Sequence, residues 1–168
     1  MPPTPKLPVA FIGVDPGVSG GLAVLLEDGT VLDTVPVGNH DLHQLWRWTQ
    51  HYADPARCRA TAVLELVGGY VGGEETARGS RMFSFGASFG RLQGMLVASG
   101  IPFVEVRPQE WQKGVGCPAR PKGLRNDQWK GVLWDYAKSL FPKSKFTKAT
   151  ADAVLIAEYL RRRHASDE

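Results

Sequence analysis

Three acids stand where acids are costly. Asp15 follows the apolar run VAFIGV, Glu65 closes the run ATAVLE, and Asp152 opens the apolar segment DAVLIA. An unpaired ionised carboxylate in such a setting costs several kcal/mol, so each needs a hydrogen-bond donor, a basic partner or a metal ion. If the strands that end at Asp15 and Glu65 are neighbours, both carboxylates project at one sheet edge. A last helix can then lay Asp152 beside them. Acids that close repel, and Mg²⁺ is one natural compensation, being a hard cation that takes carboxylate oxygens and keeps waters for chemistry. Three unrelated residues, each capped by a backbone donor, fit the same spacing.

The elements that would position these acids follow from the pattern. Residues 9–15, 21–27 and 31–37 read as strands, the last two joined by an Asp-Gly turn at 28–29, which makes three antiparallel strands in a row. Residues 41–52 are predicted helical, with Leu42, Leu45, Trp46 and Thr49 on one stripe. Residues 60–66 form a fourth strand, and the Gly-rich, charged stretch 68–80 reads as a mobile loop. A helix over 82–99 stops at Gly100-Ile101-Pro102, and 103–106 is a fifth strand. Residues 114–123 read as a basic Gly/Pro loop. Asn126 or Asp127 caps a helix whose stripe is Trp129, Val132, Leu133, Tyr136, Ala137 and Leu140. Residues 149–163 are the final helix. The expected fold is an α/β mixed five-stranded sheet flanked by helices, the ribonuclease H-like order, with a short lead-in over 1–8, one domain over 9–163 and a tail over 164–168.

Bulk properties narrow the function. At 168 residues, 43% hydrophobic and 22% charged, the chain is a folded globular sequence with room for a real core. Net charge is only +3, but residues 107–148 hold ten Lys and Arg against Glu110, Asp127 and Asp135. That clustering fits a polyanionic partner. Cys58 and Cys117 match no disulfide framework or zinc spacing, and no apolar stretch approaches the ~20 residues of a membrane span. With no signal peptide visible, a cytoplasmic location is expected, in a bacterium or a phage-infected cell, with an organelle matrix as the other possibility. The turn PGVSGG after Asp15 has a rival reading as a phosphate cradle of the actin-like kinase type, but those enzymes use two such domains and a second loop.

Taken together, GVDPGVSGGLAVL, VLELV, FGASFGRLQGMLVASGIPFVEVRPQEWQK and ADAVLIA resemble, in order and over residues 9–160, the RuvC-type Holliday junction resolvases, and most of all the chloroplast (monokaryotic-chloroplast) type. The resemblance implies a homodimer that cleaves four-way DNA junctions by paired symmetric nicks with Mg²⁺ or Mn²⁺, two ions per site, and leaves 5′ phosphates. It makes Asp15, Glu65 and Asp152 the catalytic metal ligands. One departure stands out. Bacterial relatives carry a fourth ligand three residues before the last Asp and the chloroplast type a His about four before, where this chain has Ala149 and Lys148. Lys148 either repels a second cation or pairs with the scissile phosphate. The departure also leaves room for a non-catalytic junction-binding protein with a degraded site.

Lys113, Arg120, Lys122, Arg125 and Lys130 are expected on DNA phosphates, with Arg78 and Arg81 flanking the Gly-rich loop in the same role. Tyr70, five residues after Glu65, is a candidate base wedge. Gly86, Gly90 and Gly94 recur at every fourth position of one helix, a stripe that weakens the helix and so should serve close approach, either to the chain's own sheet or across a dimer.

Overall fold

The core is built on two strands buried end to end. In this computed structural model, which describes residues 7–66 and 75–167 with side chains from 79 onward in the second stretch and through 166, β1 (Val9–Val14) and β2 (Gly21–Leu26) are almost wholly buried. Such strands must be covered on both faces. β3 (Val31–Pro36), β4 (Arg59–Glu65) and β5 (Phe103–Val106) complete a five-stranded sheet in the order β3-β2-β1-β4-β5. β1 pairs antiparallel with β2, β2 antiparallel with β3, and β1 parallel with β4, which pairs parallel with β5. The mixed sheet expected from the sequence is therefore present, with Asp28 Oδ1 accepting the Thr30 N–H in the β2–β3 turn.

Alternation along the strands divides the core. Ile12, Val14, Leu22, Val24 and Leu64 pack with Leu45 and Tyr52 of α1 (Leu42–Ala53) and with Leu92 and Leu96 of α2 (Glu75–Ser99). On the other face, Ala23 and Leu25 meet Ala153, Val154 and Ala157 of α5 (Ala151–Asp167), and Val63 joins α3 (Pro108–Val115), α4 (Asn126–Leu140) and α5 in a second cluster. α5 lies directly on β1. A Cβ at Gly13 would stand 2.0 Å from the Ala153 carbonyl oxygen and 2.5 Å from the Ala157 nitrogen, so only glycine permits the approach.

Several elements differ from the sequence reading. α1 buries Leu45, Thr49 and Tyr52, while Leu42 is exposed and Trp46 only half-buried: the stripe is rotated because Asp41 caps the helix and leaves the first turn in solvent. Residues 75–80, expected as loop, belong to α2. α3 was not expected at all. α4 is preceded by Arg125 rather than capped by Asn126 or Asp127, and the Gln128 side chain accepts the Arg125 N–H. α5 continues through 164–167, where a tail was expected. Both cysteines are free, and no helix among the described residues is long and apolar enough to cross a membrane.

Candidate active site

Strand parity explains how the acids meet. Phe11, Gly13 and Asp15 point to the α5 side of β1, as Val63 and Glu65 do on the neighbouring β4. The Asp15 N–H donates to the Gly21 carbonyl at 2.9 Å, and its Oδ1 accepts the Gly17 N–H at 3.0 Å, so the residue is held at the mouth of the β1–β2 turn. Asp152, in the first turn of α5, arrives from above through the packing on Gly13. Asp15 is 5% exposed and Asp152 8%.

Gly20 and Gly21 stand directly behind Asp15. Their close contacts are internal. A Cβ on Gly20 would fall 2.3 Å from the Asp15 carbonyl oxygen and 2.6 Å from its carboxyl carbon, and one on Gly21 would strike Thr150 just before α5. These glycines make space for the acid itself and for the helix that brings its partner.

One ammonium joins the two aspartates. Lys130 Nζ of α4 stands 3.4 Å from Asp15 Oδ2 and 3.2 Å from Asp152 Oδ2. Burial disfavours the Lys130 charge, but Asp15 and Asp152 outweigh it and hold the ammonium above its ordinary value. Asp152 does not show the matching depression. Its burial raises it, Lys130 offsets only part of that, and the Asp15 charge adds to the rise. The geometry of the ion pair and the cost of burying it thus pull in opposite directions, and for Asp152 burial wins. Glu65 is pushed up to about 8, first by burial and then by the Asp15 charge, with a smaller rise from Asp152. The Trp111 indole N–H, which donates to Glu65 Oε2 at 2.6 Å, and Lys130 oppose this without cancelling it. Cys117, which feels the Asp152 charge, is held up at about 11 mainly by burial, far too protonated for a neutral-pH nucleophile.

The site is thus a pocket of oxygen donors whose negative charge one lysine only partly offsets. Among the described residues no three His, Cys, Asp or Glu side chains converge closely enough to hold one ion as they stand. The chemistry of the donors still fits a hard cation: Asp15 and Asp152 already share a positive charge, and the β1–β4 register puts Glu65 beside Asp15 at the same sheet edge.

The other expected residues are dispersed. Lys130 was assigned to phosphate and lies among the acids instead. Lys148 points to α4, with Nζ 3.4 Å from the Asp127 carbonyl oxygen, and Ala149 beside it is half-buried. Lys113 and Lys122 are exposed. Arg120 clamps its own loop through the Leu124 carbonyl and Asn126 Oδ1, and Arg125 pairs with Asp127 at 3.0 Å. Arg81 is exposed on α2; the Arg78 side chain and Tyr70 lie outside the described residues. The glycine stripe does not pack on the chain's own sheet. Among the described residues, a Cβ at Gly86, Gly90 or Gly94 would meet nothing within 4 Å, and the buried side of α2 carries Ser88, Leu92 and Leu96. Phe83 and Val97, 79% and 65% exposed, are on that same helix.

Sequence reasoning missed the roles of Lys130 and Trp111. The i, i+3, i+4 stripe of α4 shows which side faces the core, but not that the side chain beside Trp129 reaches acids from two other elements.

No protein-family model and no curated protein sequence matches the chain. Solved structures do. Thermus thermophilus RuvC in complex with Holliday junction substrate aligns with a TM-score of 0.55 at 12% identity, over 96% of this chain and 97% of that one. A second Thermus thermophilus RuvC structure aligns with the same TM-score and coverage at 16% identity. With its sheet order, its flanking helices and this end-to-end alignment, the chain has the ribonuclease H-like fold of the RuvC structures.

Proposed function

We propose that this chain is a metal-dependent endonuclease that resolves four-way DNA junctions by paired, symmetric nicks. The observation that carries the reading is the convergence of Asp15 and Asp152 on one ammonium, with Glu65 at the end of the strand paired beside Asp15, in a chain folded like the RuvC structures along its whole length. Asp15, Glu65 and Asp152 would hold Mg²⁺ or Mn²⁺. Such ions, when bound, supply Lewis acidity for phosphodiester hydrolysis. The chain's own residues do the rest. Asp15 and Asp152 fix the cation position from a strand end and a helix end that cannot move apart. Lys130, at the rim with 36% of its side chain exposed, would be free to pair with a phosphate if a divalent ion bound the two aspartates. Lys113 and Lys122, both exposed, would add a long-range attraction for the polyanion.

Paired nicks require two copies. The open face of α2, with Gly86, Gly90, Gly94, Phe83 and Val97, supports a homodimer through this helix. Because the stripe faces open space in the single chain, Gly90→Leu leaves the fold intact and should give monomers that no longer make paired cuts.

The second reading is a junction-binding protein without cleavage. It is favoured by the absence, among the described residues, of a ready three-carboxylate cluster and by the lack of an acid or His at 148–149. A labelled four-way junction incubated with the protein and Mg²⁺ decides between them. Symmetric nicks with 5′ phosphates support the first, binding without nicks the second, and equal cutting of linear duplex would replace both with a less selective nuclease.

A further inference from the structure

We propose that Trp111 is a positioning residue of the acidic site: its indole N–H holds Glu65 by one oxygen and presents the other to a cation. Trp111 is 1% exposed, and a buried indole N–H requires an acceptor. The acceptor here is neither a carbonyl nor a structural side chain. It is Glu65 Oε2, at 2.6 Å, on a different element.

The donor is held rigidly enough to matter. Glu65 pairs with Val106 at the end of the sheet, and α3 starts two residues later with Pro108 in its first turn, so the helix folds back over the end of β4. Three contacts then fix α3. Tyr159 of α5 donates to Glu110 Oε1 at 2.8 Å, Tyr136 of α4 donates to the Val115 carbonyl at 3.1 Å, and a Cβ at Gly114 would overlap the Tyr159 ring. The ring itself packs with Val63, Val106 and Val115. A donor this constrained sets the rotation of the carboxyl group it binds, as partners behind metal ligands do. With Oε2 committed to Trp111, Oε1 is the Glu65 oxygen left to face a cation.

This inference rests on the reading of Glu65 as a metal ligand, and its test separates the two. Trp111→Phe keeps the ring and deletes the N–H. Free Mn²⁺ measured by electron paramagnetic resonance, with no DNA present, should show about tenfold weaker binding in Trp111→Phe than in the unaltered chain. On junctions with Mg²⁺, kcat should fall by a similar factor with KM unchanged, since the substitution lies behind the site. The second readout needs no folded Trp111 variant. The Trp111 indole resonance in nitrogen-edited spectra, assigned through its backbone, should move in Glu65→Gln and again during a Mg²⁺ titration. Unaltered Mn²⁺ affinity in Trp111→Phe, or an indole resonance that ignores both Glu65→Gln and Mg²⁺, overturns the proposal. A chain whose Mn²⁺ affinity depends on Glu65 and on the Trp111 N–H yet which cuts no junction ends the nuclease reading and leaves this one standing.

Discussion

Two glutamates on the same side of the sheet, Glu158 buried and Glu65 half-buried, have opposite fates. Glu158 of α5 is 2% exposed and accepts Arg161 Nε and Nη2 and Arg162 Nε at 2.7–2.9 Å. Burial works to raise it, but these hydrogen bonds and charges outweigh burial and hold it below its ordinary value. The two arginines reach on to the Glu27 and Val115 carbonyls, which ties α5 to the β2 turn and to α3. Glu65 has one neutral donor and two acids for neighbours, and burial carries it up to about 8. The contrast shows what a buried acid is for. Where the chain supplies all the compensating charge, the acid is a fastener. Where it supplies too little, the acid holds its proton to a higher pH.

That contrast can be broken by substitution. The largest effect should be on chemistry: Asp15→Asn, Glu65→Gln or Asp152→Asn should each lower junction cleavage by about 10³-fold or more, the loss of several kcal/mol of transition-state stabilisation. Junction binding should survive in gel-shift assays. A variant that cuts near the normal rate removes that residue from the site. Glu158→Gln should do the reverse, leaving cleavage intact and lowering stability by about 2–4 kcal/mol in urea unfolding. The cost is that of an orphaned charge partner, reduced because both arginines keep some contact with water.

The pH dependence sharpens the comparison. For Glu65 the folded chain keeps, between the ordinary value of 4.5 and about 8, a proton that the unfolded chain has released. The unfolded state binds fewer protons there, so stability of the metal-free chain falls as pH rises through this window, by an amount on the order of a few kcal/mol. Asp152, also raised, adds a slope of the same sign. Glu158, being lowered, contributes stability that is present above its unfolded value and lost as pH falls through its folded one. Urea midpoints measured across the range should therefore flatten at neutral pH in Glu65→Gln and at acid pH in Glu158→Gln. Identical profiles for both variants would erase the distinction. The smallest effect belongs to the rim. Lys122→Ala should reduce the salt dependence of junction binding by about one unit of log–log slope, and Arg125→Ala by less, since Asp127 already neutralises part of its charge.

The sequence was most legible where a signal is local. The strands appear within about a residue of their expected bounds, because apolar runs closed by Gly, Asp-Gly or Pro leave little choice of register. α3 escaped because it is short, Gly114 interrupts it, and only Trp111 and Val115 are buried along it; Pro108, a sound helix-start signal, reads equally well as a loop. The first residues of α2 carry Gly79 and charge, which mimic a loop. At the site, the acids announced themselves by standing out in apolar runs. Their partners did not. Lys130 lies 115 residues from Asp15, and Trp111 46 residues from Glu65, so no local spacing connects them. Glu158 drew no notice because a Glu followed by three arginines on a helix reads as a solvated face.

The distance along the chain between Asp15 and Asp152 also has a bearing on synthesis. Chains emerge N-terminal end first, and domains fold as units as they emerge. Here β1 cannot be roofed, nor Asp15 joined by its counterpart, until α5 settles on Gly13. Any polypeptide broken off before residue 151 carries two acids and no third, with the α5 cover over β1 and β2 missing. Such a chain lacks the third acid and the cover over β1 at the same point, so its incomplete packing exposes it to proteolysis.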